Sequence, residues 1–248
     1  RAFRFHCNNT MNLYDTHCHI DLLPDKKAIM EEINQGHIYV MAMTNLPDIY
    51  RREKVVYDSK YIRTCLGFHP ELIEEYEHQV EMMWQLLPTA KYIGEVGLDF
   101  VNAGAVGKQV SFLSELFERC NDLSPKIISL HSRGAVDELL NILPEKRTFI
   151  PIMHWYTGTA AQLCKAVKLD CYISVNFSML RSSKSRQLIK NIPEDRLLIE
   201  TDAPFALKMG SYTKTLEEIN NQLSMLRGIE TERLFVNFKT LLESNVIC

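Results

Sequence analysis

Short apolar runs alternate along the chain with longer amphipathic stretches. The runs are NLYD (12–15), IYVMAMT (38–44), IRTCLGF (62–68), YIGEVGL (92–98), KIISLH (126–131), TFIPIMH (148–154), CYISV (171–175) and RLLIE (196–200). They are rich in Ile, Val, Leu and Tyr and too short for stable helices, so each predicts a strand. Between them the period changes. In VSFLSELFERC, Val110, Leu113, Leu116, Phe117 and Cys120 fall on one helical face. Segment 71–87 is acidic outside and carries Ile73, Met83, Leu86 and Leu87. Strands each followed by a helix predict an α/β chain whose parallel sheet closes into a TIM-type (β/α)8 barrel. The competing architecture, an open doubly wound sheet, usually carries a Gly-rich phosphate loop after its first strand. Here that position holds THCHIDLLPD.

A length of 248 residues suits one such barrel. The expected domain is 11–248. The preceding RAFRFHCNNT is expected to be an appended or upstream segment outside the fold, with Met11 as the natural start, and it lacks the apolar core of a secretory signal. A net charge of -3 excludes a strongly basic nucleic-acid coat, so any nucleic-acid contact is local. No apolar run is long enough to span a membrane. The cysteines are scattered, odd in number and without a C-x-x-C pair, which suits reduced thiols and predicts a cytoplasmic protein.

The polar residues able to bind metal sit where the expected strands end. His17 and His19 follow the first strand, His69 the third, and Glu95 lies in the fourth. His131 and His154 close the fifth and sixth, and Glu200 and Asp202 lie at the end of the eighth. In an alternating barrel all these ends meet on one rim, where active sites are built. A lone strand-end histidine is usually just hydrogen-bonded or exposed, and His6, His37 and His78 are read so. The other five share one end of the sheet, and buried acids among them need a cation as partner. In DTHCH, strict strand alternation puts Asp15, His17 and His19 on one face, and Thr16 and Cys18 on the other. Cys18 is then a small buried apolar residue. Asp202 suits a metal ligand or a base that orients the attacking water. Glu200 suits an acid/base group or an anchor behind the ligands, against a simple ion pair with Arg196.

D-x-H-x-H near the start, G-x-H-P, G-E-x-G-L-D, H-x-R, the sixth-strand His and I-P-x-D-R-L-L-x-E-T-D-x-P together resemble the TatD family of metal-dependent deoxyribonucleases, from about Asn12 to Asn237. The resemblance implies a distorted barrel of the metallo-dependent hydrolase type with two divalent ions, zinc, manganese or magnesium. It implies that His17, His19 and Asp202 bind one ion, that Glu95 bridges, and that His131 and His154 complete the second site. His69 would contact the scissile phosphate, with Asp99 behind the ligands. DNA hydrolysis by a paired-metal mechanism follows, with Asp202, Glu95, His69 and Glu200 as catalytic candidates.

The chain departs from the family at the rim. HWYTG replaces H-C-F-S-G, the loop after ETDAPF is cut to ALKMGSYT, and VNAGAVG follows GLDF without the usual basic and aromatic residues. Arg133, Trp155 and Lys208, with His69, are the substrate-binding candidates, Lys214 a weaker one. Trp155 and Tyr156 suit base stacking or wall packing, and RSSKSR (181–186) suits phosphate contact or serine capping of a helix. So sparse a basic rim predicts exonucleolytic action on single-stranded or end-frayed DNA. Short relatives occur beside anti-phage defence genes such as the Qat system, which implies a defence role with protein partners. Two other functions compete. A catalytically weak metal-containing subunit would act through protein contacts. An amidohydrolase would act on a cyclic amide or nucleobase, but that group often uses a modified lysine at the fourth strand, where Glu95 stands.

Overall fold

Every strand among the described residues runs parallel to its neighbours, and all lie close to the apolar runs of the sequence. The computed structural model describes residues 12–101, 105–206 and 210–244. Among these, the strands are β1 Tyr14–Cys18, β2 Tyr39–Ala42, β3 Ile62–Thr64, β4 Tyr92–Gly97, β5 Ile127–His131, β6 Ile150–Met153, β7 Tyr172–Val175 and β8 Leu197–Ile199. The helices are α1 Lys26–Gly36, α2 Pro47–Tyr57, α3 Val80–Leu86, α4 Val106–Asn121, α5 Val136–Ile142, α6 Ala160–Lys168, α7 Phe177–Arg181, α8 Ser183–Lys190, α9 Tyr212–Arg227 and α10 Thr231–Ser244. Residues 1–11 and Lys208 lie outside the described residues. No helix among the described residues is long and apolar enough to cross a membrane.

The strands form two arcs, β1-β2-β3 and β4-β5-β6-β7-β8. Two seams close them into a (β/α)8 barrel. At the first, Leu66 pairs with Ile93, its N–H donating to the Tyr92 carbonyl at 3.0 Å. At the second, the Asp202 N–H donates to the His17 carbonyl at 2.8 Å and the His19 N–H to the Ala203 carbonyl at 2.9 Å.

The apolar face expected in α4 is buried at Leu113, Leu116, Phe117 and Cys120, with Val110 half-buried. Segment 71–87 buries Ile73, Met83 and Leu87 as expected, but only Val80–Leu86 is regular α-helix. Short 3-10 turns at Pro70–Leu72, Glu77–Gln79 and Leu87–Thr89 take the rest. Pro70 and Pro88 each sit in the first turn of such a piece, where a missing N–H costs least.

Strand β1 is fully buried although Asp15, Thr16 and His17 are polar. Each is satisfied: the Thr16 hydroxyl donates to the Ile199 carbonyl at 2.9 Å, which ties β1 to β8. The pairing with β2 is irregular, with Asp15 opposite Val40 and Cys18 opposite Ala42. Three steps along β1 thus match two along β2, the signature of a bulge. The bulge overturns strict alternation. Asp15 does not share a face with the histidines; it accepts the Tyr212 hydroxyl from α9 at 2.6 Å, and the Cys18 thiol interacts with the same hydroxyl. Cys18 does point away from His17 and His19, into the packing, as the sequence suggested.

Gly97 shows why GEVG is needed in β4. Its φ of +147° lies where side chains are strained, and an added Cβ would meet the His131 carbonyl oxygen at 2.1 Å. Strands β4 and β5 can therefore approach closely enough to bring Glu95 and His131 together.

Candidate metal centre

The histidines and acids expected at the strand ends converge around one carboxylate. Glu95 is buried within β4 and divides its two oxygens. Its Oε2 lies 3.3 Å from His19 Nε2 and 3.7 Å from His17 Nε2. Its Oε1 lies 2.6 Å from His131 Nδ1, 2.9 Å from His154 Nε2 and 3.7 Å from His69 Nε2. Asp202 completes the first side, with Oδ1 3.7 Å from both His17 and His19 Nε2. The residue reaches that place from a left-handed backbone, φ +46°. His131 Nδ1 and His154 Nε2 are 3.4 Å apart on the second side.

Several of the rings are held from behind, whereas His19 Nδ1 is buried without a hydrogen-bond partner. His17 Nδ1 bonds the Ser129 hydroxyl at 2.8 Å, and the ring stacks on His154 with centroids 3.8 Å apart. His131 Nε2 bonds Asp99 Oδ2 at 2.8 Å, so its Nδ1 is the atom offered to the cluster. His69 Nδ1 accepts the Glu71 N–H at 3.3 Å, which puts the ring proton on Nε2, facing Glu95. Glu200 is fully buried behind His154, Oε1 to Nδ1 3.7 Å. Its carboxylate accepts the Trp155 N–H at 2.9 Å, Asn176 Nδ2 at 3.1 Å and the Ser174 hydroxyl. Arg196 pairs with Asp170 and Asp195, not with Glu200. Glu200 is thus an anchor for His154 and for the Trp155 backbone. The left-handed φ of +36° at Trp155 is tied down at its N–H by the same acid.

Burial would raise the Glu95 carboxyl, but His69, His154 and His131 hold it well below its usual range. Burial outweighs the pull of His154 at Asp202 and, with Glu200 and Glu95 adding to it, pushes that carboxyl up to about 7. His17 is driven down to about 3 by burial and then by neighbouring His154. His154 moves the other way: burial lowers it, but Glu95 and Glu200 carry it well above its normal value. Closely packed groups pushed in opposite directions mark a cluster short of positive charge at some positions and crowded at others.

A divalent cation fits this donor set. His17 and His19 present Nε2 atoms to each other at 3.2 Å, both aimed at the same two carboxylates. A shared proton can serve one such contact; an ion accepts all four lone pairs at once. His17, His19 and Asp202 have ligand atoms mutually within 4.8 Å, as have His17, His154 and Glu200, and His69, Glu95 and His131. Imidazole and carboxylate together suit zinc or manganese by ligand type.

His69, Glu95, His131, His154 and Asp202 floor a cleft of about 570 Å³, rimmed by Glu71, Leu72, Arg133, Trp155, Thr157 and Phe205. Arg133 reaches it, but its guanidinium is engaged, Nε with Asp99 at 2.7 Å and Nη2 with Glu71 at 2.9 Å. Trp155 lines the wall. Tyr156 does not: it is fully buried, its hydroxyl donating to the Thr159 carbonyl. RSSKSR acts as a helix junction, with Ser182 capping α8 through the Ser185 N–H. Neither that stretch nor Lys214 lines the cleft. Lys208 lies outside the described residues. Sequence reasoning missed Ser129, Ser174 and Asn176; a polar residue inside an otherwise apolar strand was the available signal for the two serines. It also missed Phe205, a large apolar side chain 58% exposed and edge-on to His19, centroids 5.4 Å apart.

A parallel barrel with a buried His, Glu and Asp cluster at its carboxyl-end rim defines the class of metal-dependent hydrolases. Within that class the family model described as TatD related DNase matches residues 14–243, and the chain belongs to this family. It is 28% identical over 208 residues to the uncharacterized metal-dependent hydrolase YabD of Bacillus subtilis, covering 78% of this chain and 80% of that one. It is 30% identical over 206 residues to the uncharacterized metal-dependent hydrolase YjjV of Escherichia coli, covering 77% and 78%. The crystal structure of YjjV superposes with a TM-score of 0.78 at 24% identity, over 93% of this chain and 98% of that one, which supports the fold. The 3'-5' ssDNA/RNA exonuclease TatD of Klebsiella pneumoniae is 28% identical over 180 residues, 69% of this chain and 68% of that one.

Proposed function

We propose that this hydrolase cleaves DNA phosphodiester bonds with two divalent ions, exonucleolytically, on single-stranded or frayed ends. One observation carries the reading: Glu95 turns one oxygen to His17 and His19 and the other to His131 and His154. A carboxylate so divided is built to bridge. His17, His19 and Asp202 would hold one ion, His131 and His154 the other, with Glu95 shared. When bound there, divalent ions would supply a lowered pKa for water and charge neutralisation on the attacking and leaving oxygens.

The chain's own groups supply the rest. Asp202, ionised, accepts a proton from the attacking water. His69 directs its Nε2–H into the cleft, where it donates to a phosphoryl oxygen. Asp99 keeps His131 oriented through Nε2, and Glu200 keeps His154 and Trp155 in place. Arg133 and the aromatic rim engage flanking phosphate and base. The cleft lining, in which Arg133 is the one arginine or lysine among the described residues, and the exonuclease name of the Klebsiella relative support single-stranded ends over duplex. A setting in phage defence rests on the resemblance to short relatives alone, and phage plating with wild-type and Glu95→Ala chains tests it.

The deciding experiment compares wild type with Glu95→Ala on labelled single-stranded DNA, with Mg²⁺, Mn²⁺ or Zn²⁺ added. Ion-dependent shortening by wild type alone is expected. Equal activity in both proteins would overturn the bridging role, and equally fast cleavage of closed circular duplex would overturn the preference for ends.

A further inference from the structure

Arg133 sits at the cleft mouth with its two edges in different environments. The inner edge is fixed: Nε donates at 2.7 Å to Asp99 Oδ2, and Asp99 is wholly buried. The same Asp99 oxygen bonds His131, so this contact is tied to the floor of the site. The outer edge is different. Nη2 donates at 2.9 Å to Glu71 Oε1, and the Arg133 and Glu71 side chains are 46% and 35% exposed. A pair so open to water contributes little net energy. Glu71 also lies two residues beyond His69, and both acid and arginine line the cleft. A carboxylate oxygen there occupies the place where the outer guanidinium edge would meet an incoming anion of the same charge and similar oxygen geometry.

We propose that Glu71 is an exchangeable internal competitor for the phosphate-binding edge of Arg133. This rests on the nuclease reading and deepens it. A phosphodiester flanking the scissile bond displaces Glu71 from Nη2, while Asp99 keeps Nε and so holds the guanidinium plane in position. Only arginine can serve both ends at once, because its donors form a rigid fork; lysine has a single nitrogen. The competitor lowers affinity for any isolated phosphate and leaves longer strands, which gain contacts elsewhere in the cleft, less affected. Glu71 is thereby a specificity-determining residue rather than a catalytic one.

The test is binding of a fluorescein-labelled oligothymidylate, followed by anisotropy in EDTA, with steady-state cleavage measured separately with metal. Glu71→Gln is expected to tighten binding and lower KM by roughly two- to fivefold, with kcat within about twofold of wild type. Arg133→Lys is expected to weaken binding. The combination decides the mechanism: in the Arg133→Lys background, Glu71→Gln gives no further gain if the two compete. An equal gain in both backgrounds would mean that Glu71 acts only as a general negative charge and would overturn the proposal. Unchanged affinity in Glu71→Gln would overturn it too, leaving the nuclease reading intact if wild type binds and cuts. Wild type that neither binds nor cuts the oligonucleotide overturns both.

Discussion

The floor of the cleft and its rim are built on different terms. On the floor, Glu95 is 4% exposed and Asp202 3%, and His17, His131 and His154 each meet a further side chain behind the face they offer. At the rim, Phe205 is 58% exposed and the Arg133 side chain 46%, and the outer contact of Arg133, to the part-exposed Glu71, is one water can replace. Preorganised donors cost little reorganisation at the moment of reaction. The floor has that property, whereas the rim can be reshaped without disturbing it. On the proposed function, chemistry and substrate choice fall to residues under different physical constraint, and perturbing each should leave different signatures.

The largest expected effect is on the floor. Dialysis against EDTA abolishes DNA cleavage and added Mn²⁺ or Zn²⁺ restores it. In Glu95→Gln, which keeps the shape, no ion restores more than about a thousandth of the rate. Restoration to wild-type rates would break the contrast at once. Next come the supports behind the ligands. Asp99→Asn and Glu200→Gln are each expected to weaken metal binding by about 10–100-fold, read by calorimetric titration without any substrate. Unchanged ion affinity would show the anchors to be packing alone.

At the rim the change moves to substrate. Phe205→Ala raises KM for single-stranded DNA by about tenfold, since stacking one base contributes about 1–3 kcal/mol. kcat stays within about twofold, and Phe205→Trp recovers KM. A fall in kcat at constant KM would place Phe205 with the floor instead.

The smallest effect separates stability from both. Burial raises the Asp15 carboxyl from 3.8 to about 6, against hydrogen bonds from Thr201 and Tyr212 that lower it. Between those values the folded chain holds a proton that the unfolded chain has released. Its contribution to stability is complete below about pH 4 and lost as pH rises through about 6. Melting of the metal-free protein at a series of pH values should show a decline over that window that is flatter in Asp15→Asn. Parallel curves would exclude Asp15 as its source.

Much of this was legible beforehand because the barrel repeats one rule. Each apolar run became a strand, and a metal-binding residue at a strand end can go only to the shared rim. His17, His19, His69, Glu95, His131, His154 and Asp202 met on that logic alone. The expected first strand, 12–15, proved to be Tyr14–Cys18, because hydrogen bonds make its polar residues buriable and no hydropathy pattern records that. Asp15 was misplaced because a bulge depends on the register of two strands, not on one sequence. Arg133 read as a free phosphate binder, but Glu71 lies 62 residues away along the chain and only the folded loops bring it near. Nothing in the sequence singles out Phe205, because its exposure beside His19 depends on the folded loop after β8.

The seams of the barrel have a consequence of their own. One arc, β1-β2-β3, brings His17 and His19; the other brings Glu95, His131, His154 and Asp202. No continuous ladder joins β8 to β1, only isolated bonds such as Asp202 N–H to His17 and His19 N–H to Ala203. Any ligand gripped by His17, His19 and Asp202 together is a rivet driven through that joint. The residues proposed to hold an ion are then also the clasp of the barrel, and amide exchange at His19 and Asp202 would report whether the clasp is shut.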